Sequence, residues 1–75
     1  MHSEKVKMAA VEFATLTGLA LEEWGLDDSY QVTVWADGHA NALSVDGAPV
    51  YGISAGNDRA RARCVAAHAA ACVSR

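Results

Sequence analysis

The chain has 75 residues, 52% of them hydrophobic and 20% charged, with a net charge of −3. That length allows one domain, which buries only about 60% of its unfolded surface, and the composition excludes a disordered chain. The longest apolar runs fall far short of the roughly 18 residues needed to span a bilayer, and MHSEKVK is not followed by a signal-peptide core, so a cytoplasmic protein with no membrane partner is expected.

Ser3 is a plausible N-cap for a first helix over about residues 4–24. Val6, Ala10, Phe13, Thr17, Ala20, Leu21 and Trp24 then share one side at helical spacing. Gly18 interrupts this run at a cost of about 1 kcal/mol relative to alanine, and can either split the helix or permit a close contact. Gly25 followed by Leu26 reads as the helix stop.

Asp27-Asp28-Ser29 forms a loop, and YQVTVWA then alternates as a strand over about 30–36. Tyr30, Val32, Val34 and Ala36 point one way, Gln31, Thr33 and Trp35 the other. Asp37-Gly38 is a strong two-residue hairpin signal. A type I′ turn there pairs Val32 with Leu43 and Tyr30 with Val45, and leaves Trp35 beside Ala40 on the opposite face. The second strand covers about 39–45, and Asp46-Gly47 starts a second hairpin into a strand over about 49–55. A two-residue loop turns Val50 inward, whereas a three-residue loop turns Tyr51 and Ile53 inward. Pro49 is best tolerated if this strand is an edge.

Gly56-Asn57-Asp58 ends the strand, with Asp58 the expected N-cap of a last helix over about 58–73. Ala62, Val65, Ala66, Ala69 and Val73 form its expected apolar stripe. The result is an α+β fold of two layers in the order α-β-β-β-α: a three-stranded antiparallel sheet with both helices on one face, the other face being open.

The stretch from VDG through VYG to the last helix resembles the C-terminal half of the double-stranded-RNA-binding domain. That family's second helix follows the pattern Ser-Lys-Lys-x-Ala-Lys-x-x-Ala-Ala, matched here by Asp58-Arg59-Ala60-Arg61-Ala62-Arg63-Cys64-Val65-Ala66-Ala67. The resemblance implies the same α-β-β-β-α fold and a nucleic-acid surface made of Arg59, Arg61 and Arg63, with His39 beside the first turn. Ala60 stands at one lysine position, and the first helix carries Glu12, Glu22 and Glu23 where RNA would lie. In style the chain also resembles small phage-encoded inhibitors, among them some anti-CRISPR proteins.

Charge is segregated along the sequence. From Glu12 to Asp58 there is no Lys or Arg, and that span holds all the acids but Glu4. An acidic surface steers toward a basic partner, and a tryptophan on an open sheet face is a candidate interface anchor. The expected function is therefore a non-enzymatic protein-binding module, of the kind that inhibits a basic nucleic-acid-handling complex, with contacts at Trp35, Asp37, Asp46, Tyr51, Glu22 and Glu23. The alternatives are a divergent duplex-RNA binder working through the arginines and a homodimer joined sheet to sheet.

Two cysteines eight residues apart on one helix are separated by about 12 Å and cannot bridge each other. Cys64, His68 and Cys72 climb one side of the last helix at four-residue spacing, but a fourth donor from another element is lacking unless His39 or His2 contributes, so no metal and no cofactor is expected. No phosphate loop, dinucleotide fingerprint or nucleophile–base pattern is present, so neither catalysis nor a small-molecule substrate is expected.

Overall fold

The computed structural model describes residues 4–44, 46–47, 49–50, 53 and 57–73. Its elements, in chain order, are β1 (Val6–Ala9), α1 (Ala10–Thr17), α2 (Leu21–Trp24), β2 (Gln31–Val34), β3 (Ala40–Leu43), β4 (Pro49–Val50) and α3 (Asp58–Val73). The fold is α+β, as expected. The three anticipated strands form an antiparallel sheet, with the helices on one face of it. A fourth strand completes the sheet in the order β1-β2-β3-β4.

That extra strand replaces the start of the expected helix over 4–24. Val6 and Met8 are buried while Lys7 and Ala9 are exposed, a period of two. Val6 pairs with Val34 and Met8 with Val32. Val6, Ala10 and Phe13 also fit helical spacing, so a short pattern served both structures and pairing with β2 decided between them. The residues expected to face the core do so in most cases: Val6, Ala10, Phe13, Thr17 and Trp24 are buried, Leu21 is half-buried and Ala20 is exposed. Ser3 lies outside the described residues.

Gly18 splits the helical segment. It ends α1 in the left-handed region at φ 77°, donating its N–H to the Ala14 carbonyl. Gly25 ends α2 at φ 76°, with its N–H on the Glu22 carbonyl and that of Leu26 on the Leu21 carbonyl, the paired bonds of a Schellman stop. The Glu23 carboxylate closes the start of α2 by accepting the Ala20 N–H at 3.1 Å. The reversal lays Trp24 on Phe13, with ring centroids 4.9 Å apart. The indole Nε1 donates to the Thr17 hydroxyl at 3.0 Å, and that hydroxyl donates to the Ala14 carbonyl at 3.2 Å. The buried polar edge of the indole is thereby satisfied.

The first hairpin has a three-residue loop, Ala36-Asp37-Gly38, where two residues were expected. Trp35 and His39 close it, the Trp35 N–H donating to the His39 carbonyl and the Gly38 N–H to the Trp35 carbonyl. Every pair after the turn therefore slips by one. Val32 faces Ala42, Val34 faces Ala40, and Gln31 faces Leu43. The cause is the path of the turn across α3. Gly38 is buried there at φ 91°, and a methyl added to it would lie 2.6 Å from Arg61 Cγ and 2.7 Å from the Arg61 carbonyl oxygen. Small Ala40 and Ala42 take the inward places, and Leu43 goes to the outer face.

The second turn is closed by the Gly47 N–H on the Ser44 carbonyl. It sets Pro49 opposite Leu43 and Val50 opposite Ala42. Pro49 is on an edge strand, as expected, and Ile53 packs against the core. Tyr51 lies outside the described residues.

Helix α3 buries Ala60, Cys64, Ala67 and Ala71. The expected stripe is instead outward, with Ala62, Val65, Ala66, Ala69 and Val73 all exposed. Alanines surround this helix, so apolar periodicity alone cannot choose a face. The arginines choose it. Arg61 Nε donates to the Asp37 carbonyl at 3.0 Å and Arg63 Nη1 to the Thr17 carbonyl at 2.6 Å, and the buried stripe runs between these two flanks. Asn57, not Asp58, is the N-cap: its Oδ1 accepts the Ala60 N–H at 3.0 Å, and Asp58 is the first helical residue.

Arg63 closes the C-terminal end of α1, where a cation complements the helix dipole. Arg63→Gln is expected to lower stability by about 1–2 kcal/mol through loss of a charged hydrogen bond. Arg59→Gln, at an exposed position, leaves the urea midpoint unchanged. Parallel denaturation curves of the two variants check this.

Candidate functional site

The sheet has one covered face and one open face. Val6, Met8, Val32, Val34, Ala40 and Ala42 turn toward the helices and are buried. Alternation sends Lys7, Ala9, Gln31, Thr33, Asn41 and Leu43 to the other side. There Lys7, Ala9, Gln31 and Leu43 are exposed, and Thr33 and Asn41 are half-buried. Leu43, at 43% exposure, is the large apolar side chain of this face. Sequence reasoning missed it because the one-residue slip of the first hairpin reverses its direction.

Trp35 continues the outer row of β2 and is half-buried. Its partner across the turn is His39, not Ala40. The two rings meet edge to face with centroids 5.7 Å apart. Thr33 faces Asn41 on the same side. An aromatic pair therefore caps one end of the open face, and Leu43 stands toward the other.

Asp37 and Asp46 sit in the turns beyond the two ends of β3, a strand that rises about 10 Å at 3.4 Å per residue. Asp37 is held by its own turn, Oδ1 accepting the His39 N–H at 2.9 Å. Asp46 Oδ1 accepts a hydrogen bond from the Ser44 hydroxyl. The two carboxylates thus lie at the ends of β3, the first in a turn that also packs against α3.

Glu22 and Glu23 do not join this surface. They lie on α2, which packs on α1 and so belongs to the helical side of the domain. Glu22, with Ala20, Leu21, Leu26, Asp27 and Asp28, lines a shallow groove of about 450 Å³. Asp27 accepts hydrogen bonds there from the Ser29 hydroxyl at 2.5 Å and the Ser29 N–H at 2.9 Å. Those two bonds hold its carboxyl below the ordinary value, the hydroxyl contributing most.

The segregation of charge along the sequence does not persist in space. Arg61 lies against the Asp37 turn. Arg59 and Arg63 line a cleft of about 230 Å³ together with Glu23, Leu19, Asn57 and Ala60. The three arginines also do not present one cationic comb. Arg61 and Arg63 are directed to opposite flanks of α3, each onto a main-chain carbonyl, and His39 is engaged with Trp35.

Among the described residues no helix is long and apolar enough to cross a membrane. No family model, no curated protein and no solved structure matches the chain.

Proposed function

We propose that this chain is a non-enzymatic module that binds a protein partner on the open face of its sheet. The partner inserts an apolar side chain between Trp35 and Leu43 and sets basic groups against Asp37 and Asp46, a pattern suited to the surface of a nucleic-acid-handling protein. The observation that carries this reading is the asymmetry of the sheet: one face is closed by helices, while the other leaves Trp35, His39 and Leu43 at the surface. An aromatic anchor with a polar rim is the usual anatomy of a binding surface.

The duplex-RNA alternative draws less support, because two of its three arginines brace the fold. Nucleic-acid affinity comes chiefly from side chains available to neutralise phosphates.

The test uses a partner recovered with the wild-type chain and then purified. Trp35→Ala is expected to weaken its binding by about 30-fold or more, the scale of a hot-spot aromatic. Asp37→Asn and Asp46→Asn should reduce the association rate and flatten its dependence on salt. The amide oxygen introduced by Asp37→Asn can still accept the His39 N–H, so the turn is kept while the charge is lost. A partner bound equally well by Trp35→Ala rules out this face. Micromolar binding of duplex RNA that is lost in Arg59→Ala supports the nucleic-acid reading instead.

A further inference from the structure

Cys72 and His68 lie one turn apart on α3, away from the open sheet face. Cys72 is exposed and free, whereas Cys64 is fully buried. His68 Nε2 is 2.5 Å from the Glu4 carbonyl oxygen. A carbonyl oxygen only accepts, so Nε2 is the donor and Nδ1 is the ring nitrogen left for a ligand. Cys72 Sγ lies beside the ring, 3.8 Å from Nδ1 and 3.9 Å from Nε2.

These are the features of a half-built metal site. Zinc holds sulfur at about 2.3 Å and imidazole nitrogen at about 2.0 Å, so a tetrahedral ion sets the two donors about 3.6 Å apart. The pair is already near that separation, and Sγ, almost equidistant from the two ring nitrogens, has to swing toward Nδ1 as an ion binds. Metal-bound histidines donate their other ring N–H to a carbonyl or carboxylate, which fixes the ring and its tautomer. The Glu4 carbonyl fills that role here. Two donors make half of a tetrahedral set, and among the described residues no three His, Cys, Asp or Glu side chains converge within one chain.

We propose that Cys72 and His68 bind Zn²⁺ between two copies of this chain, giving a two-fold symmetric Cys₂His₂ site. A two-fold axis through the ion supplies the missing pair from the same surface of the second copy. The exposed α3 positions beside the pair, Ala69 and Val73, are uncharged, and Ala69 is small, so a second α3 meets no like charge from this helix there, while the charged Glu4 and the adjacent Lys5 stand just before β1, where Glu4 meets His68. Each Cys72 thiol releases its proton to solvent as the ion binds, and the ion gives up water ligands in exchange.

The experiment titrates the full chain, kept reduced, with Co²⁺ and then with Zn²⁺. Expected are a thiolate-to-cobalt charge-transfer band and tetrahedral d–d bands that saturate at one ion per two chains and disappear as Zn²⁺ displaces cobalt. Sedimentation velocity should show a monomer converting to a dimer with either ion and reverting with chelator. Cys72→Ser and His68→Gln should each abolish both signals. Alkylating the exposed Cys72 of the wild-type chain, with Cys64 shielded in the core, should do the same without a change of sequence. Saturation at one ion per chain without dimerisation overturns the proposal. So does a charge-transfer band that survives in Cys72→Ser or after alkylation, or the absence of any such band in the wild-type chain.

Discussion

Gly38→Ala is expected to destabilise the domain by about 2–5 kcal/mol, the sum of left-handed strain of about 1–2 kcal/mol and overpacking of about 1–3 kcal/mol. Gly38 has φ 91° and lies where the first hairpin turn crosses α3. The added methyl would meet the Arg61 Cγ, the Arg61 carbonyl oxygen and, at 3.0 Å, Val65 Cγ2. Two of these neighbours can shift, but the carbonyl belongs to the helix backbone and cannot move alone. Gly47 provides the control. It has φ 86° with nothing within 4 Å of an added methyl, so Gly47→Ala should cost only the strain, about 1–2 kcal/mol. Urea unfolding of the two variants separates the terms. Equal losses would show that the turn does not press on the helix.

Phe13→Ala is expected to cost about 3–5 kcal/mol, the usual range for a buried aromatic. A domain of this length has a total stability of about 4–11 kcal/mol, so the variant should be marginally folded at room temperature. Phe13 is fully buried and supports the Trp24 ring, which in turn holds its hydrogen bond to Thr17. Removal of the phenyl ring therefore opens a cavity and also loosens a polar contact. Phe13→Leu fills most of the volume and should lose about half as much or less. The check is the thermal midpoint of each variant, together with the near-ultraviolet circular dichroism of the tryptophans. A shift of only a few degrees for Phe13→Ala would mean that α1 is not the centre of the core.

The hydrophobic pattern was the most legible part of this chain. Val32 and Val34 face the core from a strand, Phe13 and Trp24 are buried, and Gly25 ends a helix, all as alternation, periodicity and glycine chemistry dictate, whereas the two rings meet only because the chain reverses at Gly18. What was illegible has three physical causes. Val6 satisfies two periods at once, helical with Ala10 and Phe13 and alternating with Met8, and only the distant β2 selects between them. Asp37-Gly38 fits both a two-residue turn and a three-residue loop ending in glycine, and the bulk of Arg61 and Val65 on α3 decides which. The last helix has alanines on every side, so its buried stripe is not given by apolar periodicity and lies between the flanks where Arg61 and Arg63 find carbonyl acceptors, a contact between elements far apart in sequence. The candidate site inherits these limits. Trp35 lies on the open face as its parity requires, whereas Leu43 is there because of the slipped register. Glu22 and Glu23 were grouped with Asp37 and Asp46 by sign alone, and the fold sends them to the helical side.

The order of the sheet has one more consequence, for behaviour at high concentration. β1 and β4 are outermost, and an unpaired strand margin is a template on which further chains can polymerise. Here β4 runs for two residues and starts with Pro49, which has no N–H to offer an incoming strand. β1 runs for four and carries Lys7 within it, so stacked copies would bring like charges together. Among the described residues, Pro49 and Lys7 therefore work against the growth of fibrils from these two margins.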